Sequence, residues 1–336
     1  MNNEYKNIWV VCEVDQEGKA KNVGVELLTP ALEMAETIGE EVVSVVIGPK
    51  VDQAVEELKE HGPSKIITVS GPDYEEYNTE VYTHALESLV KKYKPHAMLI
   101  GATNQGRDLG PRLAARLKTG LTADCTELSI DEETKGVTWT RPAFGGNLMA
   151  NIICPDHRPE IGTVRPGVFK KTPVEASQEI EVVQEDISYQ GEVRTRIVER
   201  LEKEQTELVN LEGAEIIVSF GRGIGESENI AIIEDLAHAL GATLGSSRAA
   251  VDAGWISHAH QVGQSGTTVG PKVYFAIGIS GAIQHLAGIT GADYVIAINT
   301  DKDAAIFGVA DYGIVGDFKE IVPRLTESIL AIKANK

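Results

Sequence analysis

The sequence predicts an α/β protein of two domains, each built on a mainly parallel sheet flanked by helices. Three observations predict it. Short β-branched runs such as Val42–Ile47 and Lys65–Val69 alternate with helical patterns from Ile8 to Ile100, as in sheets covered on both faces. The same alternation resumes at Glu215, after a charged stretch with few glycines from Glu175 to Gly213. At 336 residues, 42% hydrophobic and 24% charged, the chain has material for two cores of ordinary size. We expect residues 1–206 to form the N-terminal domain and 207–336 the C-terminal one.

The elements follow in order. Ile8–Val14 reads as a strand, and Pro30–Gly39 as a helix with proline at its start and glycine at its end. Val42–Ile47, Lys65–Val69 and Ala97–Ile100 read as strands, Val51–His61 and Thr79–Tyr93 as helices. Gly101–Arg116 (GATNQGRDLGPRLAAR) reads as an Asn/Gly turn with a helix starting near Asp108. A phosphate site there lacks a second binding element nearby. Segments Thr122–Ile130, Val137–Pro142, Met149–Cys154 and Glu160–Val164, with turns at Lys135-Gly136 and Gly145-Gly146, predict an antiparallel group. Arg141, Arg158 and Arg165 sit at its corners, available to acidic neighbours or to a partner protein. A short helix is expected over Arg194–Leu208.

The second domain opens with a strand at Glu215–Phe220, the glycine turn Gly221-Arg222-Gly223-Ile224-Gly225, and a helix whose first turn Ser227 is placed to cap. Strands are predicted at Val273–Ile277, Tyr294–Ile298 and Ile314–Val315, and helices at Ala282–Ala287 and Phe318–Ile332. Strand ends carrying Arg222, Ser247, Ser280, Asn299 and Asp317 would gather on the edge where open α/β sheets bind ligands.

Composition excludes several functions. A net charge of −19 denies nucleic acid the cationic footprint it requires. Cys12, Cys125 and Cys154 are isolated, and Cys154 with His157 is a lone pair that reads as structural, so no metal is expected. No apolar run is long enough to span a membrane. The N-terminus enters a strand without a leader pattern, so a cytoplasmic protein is expected.

The chain is organised around Gly245–Gly270 (GSSRAAVDAGWISHAHQVGQSGTTVG), rich in glycine and hydroxyls, with Arg248 in front and Gln261 and Gln264 behind. This composition suits a polyanionic ligand gripped by main chain, or else a long polar loop. Within it, His258 and His260 read as solvated, Trp255 as a packing anchor, and Asp252 as an arginine partner or helix cap. A nicotinamide site would place Asp or Glu about 20 residues after its glycines. Ser246-Ser247-Arg248 stands there instead, which leaves NADP, through Arg248 and the GRGIG loop, as one reading. FAD is the other, since its ring edges accept and donate hydrogen bonds to amides and hydroxyls.

The runs SRAAVDAGW, QVGQSGTTVGPKVYFAIGISGAIQHLAG and AINTDKDAAIFGVADYGIVGD, with SFGRGIG and GATNQGRDLGPRLAARL, closely resemble the alpha subunit of electron-transfer flavoprotein. The resemblance covers nearly the whole chain. It implies a Rossmann-like FAD-binding C-terminal domain in an αβ heterodimer, one FAD in this subunit, and a second FAD or AMP in the β subunit. It further implies electron exchange with a flavin dehydrogenase such as an acyl-CoA dehydrogenase, and, if the complex bifurcates electrons, with NADH and ferredoxin. By motif, Arg222, Ser247 and Arg248 would contact FAD, with Gln261, Val262, Gly263, Gln264 and Ser265 alongside the ring. Ser280, Gly281, Ala282, Ile283, Gln284 and His285 would follow, His285 near the N1/O2 edge. Asn299, Asp317 and Phe318 would hold the adenosine end. Arg248, Ser265 and His285 are the expected tuning residues. Ser265 stands where many relatives carry threonine, and keeps the hydroxyl. Such chemistry needs no nucleophile or general base. It needs positive charge or donors where negative charge develops. Arginine keeps its charge and stacks well, and His285 is expected to add a second positive charge or a donor.

Overall fold

A computed structural model describes residues 4–143, 148–174, 180–195, 197–198, 209–211 and 213–334. The chain divides into two compact units, Met1–Glu199 and Arg200–Lys336.

The first unit carries strands β1 (Ile8–Cys12), β2 (Val42–Ile47), β3 (Lys65–Val69), β4 (Ala97–Gly101) and β5 (Leu121–Cys125). It continues with β6 (Glu127–Ile130), β7 (Val137–Pro142), β8 (Met149–Ile152), β9 (Glu160–Val164) and β10 (Glu181–Glu185). Its helices are α1 (Asn22–Glu26), α2 (Leu28–Ile38), α3 (Asp52–Lys59), α4 (Thr79–Tyr93) and α5 (Asn104–Leu117). Seven strands form one parallel sheet in the order β10-β3-β2-β1-β4-β9-β5. Alternate residues of β1 explain the layering. Ile8, Val10 and Cys12 face the core under α1 to α3, while Trp9 and Val11 face the one under α4 and α5.

Three expectations need correction here. Glu160–Val164 is not antiparallel. It lies inside the parallel sheet between β4 and β5, buried at every position, the pattern of a strand covered on both faces. The expected strand Thr122–Ile130 splits, β5 joining that sheet and β6 pairing antiparallel with β7 in the separate sheet β6-β7-β8. Trp139 of β7 lies so close over Gly162 of β9 that a Cβ there would stand 2.1 Å from its ring, so the small sheet packs on the large one without joining it. Finally, α5 starts at Asn104, not near Asp108, with the Thr103 hydroxyl accepting from Gly106 N at 3.0 Å. Within α5, Gly106 stands where a Cβ would meet the Gly101 carbonyl. Its purpose is close helix–strand contact.

The charged stretch read as a connection contains an edge strand, β10, tied by Lys65 to Glu181 at 2.8 Å and Lys92 to Glu185 at 2.6 Å. The helix expected over Arg194–Leu208 falls largely outside the described residues, as does the Gly145-Gly146 turn.

The second unit carries β11 (Ile216–Phe220), α6 (Ile230–Leu240), β12 (Thr243–Ser246), α7 (Arg248–Asp252), β13 (Val273–Ile277), α8 (Ile283–Leu286), β14 (Tyr294–Asn299), β15 (Tyr312–Val315) and α9 (Phe318–Ala334). Its parallel sheet runs β12-β11-β13-β14-β15, so strand order reverses between β11 and β13. A ligand crevice belongs at that reversal, beyond the carboxyl ends of the strands. Ser227 does not cap α6. It lies in a separate 3-10 turn, its hydroxyl 3.2 Å from Glu228, and α6 follows Asn229 without a side-chain cap.

Candidate functional site

A cavity of about 890 Å³ occupies this crevice in the second unit, a volume at the upper end for small-molecule sites. Much of its wall comes from the carboxyl ends of strands, and Gln261–Ser265, Gln284, His285 and Phe318 supply the rest. After β11 come Gly221, Arg222 and Gly223, and after β12 come Ser247, Arg248, Ala249 and Asp252. Gly278, Ile279, Ser280 and Ala282 follow β13, and Asn299 ends β14 with Thr300, Asp301 and Asp303 after it.

Glycine makes the crevice possible. Gly223 N donates to the Gly278 carbonyl at 3.0 Å, and Cβ atoms on Gly221 or Gly223 would stand 2.4 or 2.6 Å from that oxygen. The two loops at the reversal therefore cross in contact, and only hydrogen atoms fit between them.

Gly245–Gly270 is held along much of its length. Arg248–Asp252 forms α7, and Arg248 Nε lies 3.3 Å from Asp252 Oδ2, so the expected arginine partner is present. Val262 N donates to Ser246 O at 2.9 Å, Gly263 N to Thr267 O at 3.1 Å, and Gln264 N to Gln284 O at 2.7 Å. The segment Gln261–Ser265 is thus strapped to β12 on one side and α8 on the other. Gly263, with φ 142°, and Gly288 pack backbone on backbone there. Gln261 is buried, and its Nε2 donates to Ser265 Oγ at 3.0 Å. That bond uses serine's acceptor capacity and leaves its proton free for a ligand. His260 is not a solvated side chain, since its Nδ1 contacts the Leu244 carbonyl at 2.8 Å. Trp255 packs on the core under α6 and α9.

His285 lies in the cavity wall with 6% of its surface exposed. Its Nε2 is 3.0 Å from the Tyr274 hydroxyl, and its Nδ1 is buried without a hydrogen-bond partner among the described residues. Burial lowers its pKa to about 4, with the Val262 backbone opposing. The second positive charge expected of His285 is therefore absent at neutral pH. What remains of that expectation is a neutral ring with a donor or acceptor to offer.

The cavity gathers Arg222, Ser247, Arg248, Gln261, Val262, Gly263, Gln264, Ser265, Ser280, Ala282, Gln284, His285, Asn299 and Phe318. Gly281, Ile283 and Asp317 fall outside its lining. Gly281 packs on the Ile306 backbone, Ile283 is exposed, and Asp317 Oδ1 accepts from Lys319 N at 2.9 Å in the first turn of α9. Asn299 proves to be a strut between loops, its Nδ2 donating to Ile279 O at 2.9 Å and its Oδ1 accepting from Asp301 N at 3.0 Å. Sequence reasoning missed Thr300, Asp301, Asp303, Ala304 and Ala305, although the run NTDKDAA stands directly after the β14 strand end.

The Gly101–Arg116 turn is closed by the chain itself. Thr103 Oγ1 donates to Glu13 at the end of β1, and Glu13 Oε2 pairs with Lys21 at 2.9 Å. The hydroxyl of this turn is thus already engaged by a carboxylate of the protein. Among the described residues, no three His, Cys, Asp or Glu side chains gather as a metal site.

Two arginines, serine hydroxyls, loop amides and a ring nitrogen without a hydrogen bond among the described residues, in a cavity of this volume, fit a dinucleotide bearing a polar ring at one end. Comparison with known proteins is consistent with this chemistry. The family model for the electron transfer flavoprotein domain matches residues 8–188, and that for the electron transfer flavoprotein FAD-binding domain matches 210–290. An electron transfer flavoprotein subunit alpha from Megasphaera elsdenii is 51% identical over 329 residues, 97% of each chain. One from Thermoanaerobacterium thermosaccharolyticum is 49% identical over 332 residues, 98% of this chain and 100% of the relative. The acryloyl-CoA reductase electron transfer subunit beta of Anaerotignum propionicum is 45% identical over 355 residues, 97% of this chain and 96% of the relative. With both halves matched and such identity along nearly the full length, the chain belongs to the electron transfer flavoprotein alpha-subunit family.

Proposed function

We propose that the cavity of the second unit holds one FAD, and that the chain acts as the alpha half of a heterodimer passing single electrons between a flavin dehydrogenase of the acyl-CoA type and another acceptor. The observation that carries this is the meeting, on one sheet edge, of Arg222, Ser247, Arg248, Gln261–Ser265 and His285 from four separate stretches. The name of the Anaerotignum relative supports the dehydrogenase class, and the relatives named subunit alpha support a β partner. Membership of a flavoprotein family weighs against the NADP reading.

When bound, the flavin supplies reversible one-electron chemistry. The chain supplies the surroundings. Arg248, on a short helix with a largely exposed side chain, offers a permanent charge beside the ring. Ser265 offers the proton that its bond with Gln261 leaves free. His285 offers a neutral polar edge, and the strapped Gln261–Ser265 segment holds these groups in place.

The test is stepwise reduction of the heterodimer, co-expressed with its partner and followed by visible spectrum. One FAD attributable to this chain is expected, and a second in the partner would be needed for bifurcation with NADH and ferredoxin. Arg248→Ala is expected to lower the first one-electron potential by about 60 mV, the equivalent of ~1.4 kcal/mol. An unchanged first potential would remove Arg248 from the ring. A colourless complex that binds NADPH would overturn the proposal.

A further inference from the structure

Behind the cavity wall lies a polar group with no assigned purpose. Tyr274, on β13, is fully buried in an otherwise apolar core with Ile217, Val262 and Ile289, yet its hydroxyl sits 3.0 Å from His285 Nε2. The rings are tilted by 55° with centroids 6.0 Å apart, so the contact is edge to edge through the polar atoms.

We propose that Tyr274 is a positioning residue for His285, holding the imidazole in the tautomer that carries its proton on Nδ1. A buried phenol O–H must find an acceptor. Burial pushes its own ionisation upward, so the proton stays on the phenol and is available to donate. Ser219 of β11 is buried nearby, and its hydroxyl makes no hydrogen bond among the described residues, so it does not take the phenol proton. His285 Nε2 is then the acceptor. In a neutral imidazole the second nitrogen must carry the hydrogen, and that nitrogen, Nδ1, makes no hydrogen bond of ordinary geometry among the described residues, although the Val262 backbone bears on the ring.

The arrangement answers why a tyrosine stands where phenylalanine would pack as well. Without it, both tautomers of His285 would be open, and the nitrogen left free would be a donor in one and an acceptor in the other. With it, the free nitrogen is a donor, the property useful beside a ring atom that gains negative charge. This consequence rests on the FAD reading, whereas the tautomer itself does not.

The experiment separates the two. The heterodimer is labelled with ¹⁵N-histidine, His285 is assigned by its loss in His285→Gln, and spectra are taken at pH 7 with and without FAD. The wild type is expected to show Nδ1 protonated and Nε2 bare in both samples. Tyr274→Phe is expected to retain FAD at wild-type stoichiometry and to populate the Nε2–H form. Its first reduction should become three- to tenfold less favourable, about 30–60 mV for one electron. An Nε2–H tautomer in the wild type overturns the proposal, and so does a Tyr274→Phe protein with unchanged tautomer and unchanged potential. If that variant does not fold, the wild-type spectrum decides alone. A wild-type heterodimer that takes up no FAD refutes the flavin reading, while the flavin-free spectrum still decides the tautomer.

Discussion

Gly223→Ala is expected to weaken flavin binding about a hundredfold. The added methyl would lie 2.6 Å from the Gly278 carbonyl oxygen, and the atoms it meets are all backbone. No side chain can turn aside, so one of the two loops at the strand-order reversal must move. That movement strains the 3.0 Å bond from Gly223 N to Gly278 O. Overpacking of this kind costs about 1–3 kcal/mol, and a weakened hydrogen bond adds about 1 kcal/mol. The sum of roughly 3 kcal/mol corresponds to about a hundredfold in affinity, because Gly221, Arg222 and Gly278 all line the cavity. Flavin fluorescence titration measures it, and a dissociation constant within threefold of wild type would refute the steric account. The demand is one of space, not of backbone angle, since Gly223 is not in the left-handed region.

Arg165→Met should have the second largest effect, on stability. Arg165 leaves β9 with 5% of its side chain exposed, and its Nη2 lies 2.6 Å from Asp124 Oδ2. Asp124 sits in β5 with φ 62°, where the register with β9 shifts. Burial pushes the Asp124 carboxyl upward, but the bond and charge of Arg165, with Arg107 and Arg141 adding theirs, outweigh it and hold the pKa below the usual range. Removing one partner of a buried pair costs 3–5 kcal/mol in general, and the 23% exposure of Asp124 reduces this to about 2–3 kcal/mol. The sign with pH follows. A depressed carboxyl adds stability above its unfolded value, about 3.9, and loses it as pH falls through the lower folded value. The Arg165→Met deficit should therefore be constant from pH 5 to 7 and shrink below about pH 4. Urea unfolding, in a cycle with Asp124→Asn, measures it. A deficit that grows on acidification would show that the pair is not its source.

What was legible in the sequence divides along a physical line. Val42–Ile47, Lys65–Val69 and Tyr294–Ile298 declare themselves because a strand covered on both faces reads as a near-continuous apolar run, interrupted here by Ser44, Lys65 and Thr68. The direction of Glu160–Val164 is not a local property. It is set by pairing with β4 and β5, strands that precede it by about 35 to 60 residues. Strand β10 was hidden because an edge strand buries little, and Glu181 and Glu185 spend their charge on Lys65 and Lys92. In the candidate site, Arg248, Ser265 and His285 were legible through motif, and the cavity does gather them. The charge state of His285 was not, because it depends on how completely the fold encloses it. Nor was Tyr274, which reads as one more apolar residue in the strand VYFAI. Asn299 was legible as a strand-end residue, but its use as a strut depends on where the β13 loop passes.

The pairing of Arg248 with Asp252 has a consequence for how the cavity fills. Both side chains are more than half exposed and 3.3 Å apart, and such pairs are held weakly. Before any ligand arrives, the guanidinium already has a built-in counterion. An electron-rich guest that takes Arg248 therefore displaces a carboxylate, and entry becomes an exchange of partners with a shallower ionic-strength dependence than a bare cation would show. Asp252, released by the exchange, becomes an uncompensated negative charge facing solvent. Filling the cavity thus changes the charge balance at its rim, where Arg248 and Asp252 both stand.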